Sequence, residues 1–137
     1  MKLIVDTNRI IAALIKDSYS RKILLSEKFE FCTLHFGISE TKKYEKYMLK
    51  KTKLSEKEFV GLMNLIFSKF QIFDENEISP DNYKNAMDIM GSIDKNDVPF
   101  IALALQIEND GIWSDDKHFL KQKKIKIWPT KLLVQKL

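Results

Sequence analysis

Short runs of branched or aromatic residues that stop against carboxylates constrain this chain most. Leu3-Ile4-Val5 ends at Asp6, and Gly111-Ile112-Trp113 passes through Ser114 into Asp115 and Asp116. The apolar stretch over residues 99–105 follows Asp94 and Asp97. A strand that is apolar at consecutive positions is buried on both faces, the condition of a parallel sheet covered by helices. Carboxylates bordering such elements repel one another and lose hydration, so gathering them is costly unless something positive joins them. A hard divalent cation is the usual partner, because it takes oxygen ligands and neutralises several carboxylates together.

Segments of helical period alternate with these runs. Residues 2–6 read as a buried strand, and a turn at Thr7-Asn8 leads into a short apolar helix over residues 9–16. Ser20 is placed to cap a second helix reaching about Lys28, and residues 29–34 form the next strand candidate. Residues 37–51 read as one long charged helix. Ser55 followed by Glu58 is a capping box, and Phe59, Leu62, Met63, Ile66, Phe67 and Phe70 then repeat at i, i+3, i+4. Residues 71–73 allow a short strand, and Pro80 sits at the start of a helix through about Met90. The polar tetrad over residues 94–97 caps a nearly all-apolar helix ending near Asn109, apolar enough to be central. Residues 111–114 and 125–128 complete the strands, and Pro129 opens a terminal helix. This alternation predicts an α/β fold with a parallel or mostly parallel sheet, formed as one domain over residues 1–137.

The composition fits such a domain and narrows its chemistry. Hydrophobic content of 45% and charged content of 31% are ordinary for a soluble protein. No apolar stretch approaches the roughly 20 residues that span a bilayer. An acid at position 6 interrupts any signal-peptide core, so a cytoplasmic location is expected. The lone Cys32 excludes an internal disulfide and any multi-cysteine zinc site, and reads as a small buried hydrophobe. His35 and His118 look too isolated in sequence to build a zinc site. The net charge of +4 is carried almost wholly by lysine, since Arg9 and Arg21 are the only arginines; this permits attraction to nucleic acid without requiring it.

Ligands of open parallel sheets collect outside the carboxyl ends of the strands. Asp6 and Asp116 each follow a strand, and Asp97 lies in the first turn of the central helix, so three distant segments converge at that edge. Each acid also has a plainer reading: Asp97 as a helix cap, Asp6 as a turn residue, Asp115-Asp116 as solvated loop charge. Their recurrence at equivalent strand-edge positions is what points to a site.

Val5-Asp6-Thr7-Asn8, the segment from Asp97 through Leu105, and Trp113-Ser114-Asp115-Asp116-Lys117-His118-Phe119-Leu120 together resemble the motifs of PIN domains. The resemblance runs along the whole chain in order. It implies a three-layer α/β/α sandwich around a parallel sheet of four or five strands. It also implies an acidic quartet, onto which Asp6, Asp97 and Asp116 map directly, with Glu40 as the fourth member and Glu45 as the alternative. Asn8 and Ser114 match the polar residues that orient those ligands, while Asp94 and Asp115 stand beside them as supporting acids. His118 occupies a position where many family members carry an acid or asparagine.

By the same resemblance, Asp6, Asp97 and Asp116 would bind Mg²⁺ or Mn²⁺ directly, with Glu40 positioning or activating water. The implied activity is metal-dependent endoribonuclease action on single-stranded RNA leaving a 5′-phosphate. The protein would be either the toxin of a toxin–antitoxin pair, partnered by an antitoxin protein, or a housekeeping enzyme. The lysine-rich stretch between Glu40 and Ser79 is larger than a minimal toxin needs and favours a stand-alone prokaryotic member. Arg9 and Lys117 are candidates for holding substrate phosphates, joined by Lys42, Lys43, Lys46 and Lys121. Homodimers occur in the family, although the aromatic residues between Phe59 and Phe73 read first as core. The alternative is a non-catalytic PIN-like module that binds nucleic acid or protein.

Overall fold

Branched residues at consecutive positions build the centre of the molecule, described over residues 1–137 by a computed structural model. The strands are β1 (Lys2–Val5), β2 (Glu30–Leu34), β3 (Phe70–Phe73), β4 (Ile112–Trp113) and β5 (Ile127–Trp128). They form one sheet in the order β3-β2-β1-β4-β5, and every pairing is parallel. Strand order reverses at β1, so the crevice beyond the ends of β1 and β4 is where a ligand site is expected.

Side-chain alternation across the pleat divides the core into two layers. Leu3, Val5, Phe31 and Trp113 face one side, and Ile4, Cys32, Leu34, Ile112 and Ile127 face the other. The first face is covered by α1 (Thr7–Ile15), α2 (Tyr19–Leu25), α4 (Glu45–Lys51), α5 (Glu56–Ser68) and α8 (Thr130–Val134). The second is covered by α6 (Pro80–Met90) and α7 (Val98–Gln106), the latter buried from Phe100 through Ala104. The result is the expected α/β/α sandwich. No helix is long and apolar enough to cross a membrane.

Several boundaries differ from the sequence reading, each for a local reason. The expected helix over residues 37–51 is two helices, α3 (His35–Lys43) and α4, broken at Tyr44. The Tyr44 amide turns back to the Thr41 carbonyl at 3.1 Å, a tight three-residue bond that closes α3 before α4 begins. Thr41 also donates to the Gly37 carbonyl at 2.8 Å, a back-bond that bends helices. Helix α7 stops at Gln106 because the Asn109 side-chain amide takes the Ala104 and Ile107 carbonyls. Strand β5 begins only at Ile127 because Gln122 engages both the amide and the carbonyl of Ile125. Ser20 lies inside α2 rather than capping it; Ser18 holds the cap position without a side-chain bond.

Gly111 opens β4 with φ +133°, and a Cβ there would stand 2.5 Å from the Lys126 carbonyl oxygen. Gly111→Ala is therefore expected to cost about 1–3 kcal/mol in urea unfolding. A variant as stable as the parent would show that the β4–β5 edge tolerates another path.

Candidate active site

The register of the sheet brings the first acids together. Val5 pairs with Trp113, so the next residues, Asp6 and Ser114, stand side by side at the carboxyl edge. The Ser114 hydroxyl donates to Asp6 Oδ2 at 2.8 Å and accepts from the Asp116 amide at 3.0 Å. One buried hydroxyl thus fixes two carboxylates on neighbouring loops. The other oxygen of Asp6 accepts from the Asn8 amide at 3.4 Å, with Asp6 serving as N-cap of α1. Asp116 Oδ1 accepts from the His118 amide at 2.9 Å, which turns the loop after β4 back toward the cleft.

Asp97 arrives from the opposite layer. Residues Lys95–Asp97 form a single 3₁₀ turn capped by Asp94, whose Oδ1 accepts from the Asn96 amide at 3.0 Å. Asp97 occupies the N-cap position of α7, yet its side chain makes no capping bond. It is only 9% exposed, and its Oδ2 is buried without any hydrogen-bond partner. Burial first, then the charges of Asp94, Asp6 and Asp116, push its pKa up to about 7. Burial likewise raises the Asp6 carboxyl, against the opposing hydrogen bonds from Ser114 and Asn8.

These residues line a cleft of about 520 Å³ whose walls include Asp6, Asn8, Glu40, Asp94, Asp97 and Asp116. Five of its ten lining residues are carboxylates and none is lysine or arginine. Phe36 and Phe100, with ring centroids 5.4 Å apart, supply the apolar part of the wall. An unpaired buried carboxylate oxygen amid converging negative charge is the donor arrangement that a hard dication satisfies, so the residues fit such an ion.

The profile of the PIN domain family matches residues 4–137, almost the whole chain. The chain belongs to the PIN domain family. That places it in a nuclease-type fold, with an acidic cluster at the carboxyl edge of the sheet that could hold a metal ion. A comparison with curated proteins finds no significant match.

The other candidates of this PIN domain are distributed unevenly. Glu40 lies on α3 and lines the cleft, whereas Glu45 falls past the break, on α4, and does not. Asp115 points away from its neighbour Asp116. Its carboxylate receives Arg9 Nη1 at 2.7 Å, the Thr130 amide at 2.7 Å and the Thr130 hydroxyl at 2.6 Å. Arg9 and Asp115 thereby tie α1 to α8, and neither lines the cleft. Lys117, like Lys42, Lys43, Lys46 and Lys121, is exposed.

One residue that the sequence marks only as a departure from the family motif does come to the site. His118 Nδ1 lies 2.9 Å from Asp94 Oδ2 and 3.9 Å from Asp116 Oδ1. The isolation of His118 along the chain is undone by the loop after β4, which meets the turn preceding α7. The hint in the sequence was its place two residues past Asp116, where many family members carry an acid or asparagine.

Proposed function

We propose that this PIN domain is a divalent-cation-dependent endoribonuclease that hydrolyses phosphodiester bonds in single-stranded RNA. The observation that carries the reading is Asp97, a buried carboxylate with a partnerless oxygen and a pKa near 7, facing Asp6, Asp94 and Asp116. Asp6, Asp97 and Asp116 would hold Mg²⁺ or Mn²⁺, which when bound offsets their charge, lowers the pKa of water and stabilises charge developing on the phosphate. Ser114 orients Asp6 and the Asp116 loop through its two hydrogen bonds, keeping both carboxylates in place before substrate arrives. Glu40, on the cleft wall, is the carboxylate assigned to position the attacking water and accept its proton. The apolar rings of Phe36 and Phe100 exclude water from that wall and strengthen the electrostatics inside.

A polyanion must be held near this negative cleft by cations outside it. Exposed Lys117, next to Asp116, is the first candidate. Lys117→Glu is expected to weaken RNA binding and to flatten the salt dependence by about 0.7 in the log–log slope, with melting temperature unchanged. Unchanged affinity across a salt titration would remove Lys117 from the interface.

The test of the function is cleavage of a mixed single-stranded RNA panel with Mn²⁺ or Mg²⁺, run beside Asp97→Asn. Cation-dependent cutting that vanishes in the variant supports the enzyme. Equal cutting by both proteins, or RNA binding with no cutting by either, would overturn it; the latter outcome would favour a binding module. A toxin role is the finer form of this reading, tested by growth arrest on expression of the parent but not of Asp97→Asn.

A further inference from the structure

We propose that His118 is a nitrogen ligand in this cleft and tilts the site toward Mn²⁺ and away from Mg²⁺, an inference resting on the cation-dependent reading above. The geometry is specific to four residues. One ring nitrogen of His118 and one carboxylate oxygen each from Asp94, Asp97 and Asp116 all lie within 4.8 Å of one another. Nδ1 sits between the two outer acids, 2.9 Å from Asp94 and 3.9 Å from Asp116. The amide of the same residue is tied to Asp116 Oδ1 at 2.9 Å, so the backbone holds the imidazole over the cluster.

An independent observation shows that the cluster lacks a partner. Asp97 is more than nine-tenths buried, and its Oδ2 accepts no hydrogen bond from any group of the chain. The pairing of His118 with Asp94 fills one contact of the ring, but Asp97, with a carboxylate oxygen within 4.8 Å of a ring nitrogen, still has a buried oxygen without a partner. A cation held by Asp97 and Asp116 and reached by the His118 ring supplies that partner.

Donor chemistry then decides which ion. Mg²⁺ keeps several waters and prefers oxygen; imidazole binds first-row transition ions better than Mg²⁺, and among these Mn²⁺ is the one that also suits a carboxylate-rich, hydrated site. An imidazole added to the carboxylates of the cleft therefore discriminates between two ions that an all-oxygen set would bind more evenly. The exposed side of the ring leaves the site open to substrate and water.

The test uses the full chain with each ion alone. Calorimetric titration compares Mn²⁺ and Mg²⁺ affinity in the parent, His118→Asn and Asp97→Asn, and pulsed EPR of the Mn²⁺ form looks for coupling to a directly bound ¹⁴N. The proposal expects ¹⁴N coupling in the parent, lost in His118→Asn together with roughly tenfold or more of the Mn²⁺ affinity. Mg²⁺ affinity should change far less. Mn²⁺ binding that depends on Asp97 but shows no ¹⁴N coupling and the same Mn²⁺/Mg²⁺ ratio in His118→Asn would overturn the role of His118 alone. Failure of the parent to bind either ion would overturn the cation-dependent reading with it.

Discussion

Asp97→Asn is expected to make the cation-free protein more heat-stable at neutral pH while abolishing cation binding and cleavage. The two effects share one cause. Burial and the neighbouring Asp94, Asp6 and Asp116 charges raise the Asp97 pKa from 3.8 to about 7. Below pH 3.8 the group is protonated in folded and unfolded chains alike and has no effect on stability. Between there and pH 7 the folded chain binds more protons than the unfolded one, so stability falls as pH rises. Above pH 7 the full penalty remains, on the order of 2–3 kcal/mol once water in the cleft is allowed for.

Removing the charge removes that slope. Melting in EDTA at pH 8 should rise by about 5–10 °C in the variant, with little difference between the proteins at about pH 3. Asp6, whose pKa is also raised, adds to the parent's slope, so the difference between the two proteins isolates Asp97. Saturating Mn²⁺ should raise the parent's melting temperature and leave the variant's unmoved. A variant less stable than the parent at pH 8 would show that the Asp97 charge is already compensated within the chain.

Ser114→Ala should have the next largest effect, through geometry rather than charge number. Its hydroxyl is buried and serves both Asp6 and the Asp116 amide. Truncation leaves the buried Asp6 oxygen and the half-buried Asp116 amide without this partner, at a cost of about 1–3 kcal/mol in urea unfolding. The lost bond also removes a contribution that lowers the Asp6 pKa, so the acid limb of the cleavage–pH profile should move to higher pH. Cation affinity should fall roughly 10–100-fold, as when other orienting partners of ligands are lost. Ser114→Thr, which keeps the hydroxyl, should retain the parent's pH profile. An unshifted profile in Ser114→Ala would mean that Ser114 packs the loop without orienting Asp6.

The parallel sheet and its carboxyl edge were readable because two-sided burial forces consecutive apolar residues, and such runs lead straight into Asp6 and Asp116. Asp97 was readable as the polar start of a helix too apolar to lie on the surface. Three features were hidden. The break at Tyr44, which separates Glu40 from Glu45, comes from the Thr41 back-bond and the tight turn at Tyr44, which no apolar period marks. The opposite fates of Asp115 and Asp116 come from the loop after β4, where Thr130 and Arg9 capture the first and Ser114 fixes the second. The meeting of His118 with Asp94 spans 24 residues and requires two loops to touch, which no local pattern encodes.

Whether Asp6, Asp97 and Asp116 share a divalent cation is decided by anomalous diffraction from crystals grown with Mn²⁺. A manganese peak is expected within bonding distance of Asp97 Oδ2 and of Asp6 or Asp116. A peak confined to other surface acids, or none at saturating Mn²⁺, would show that these carboxylates hold no ion.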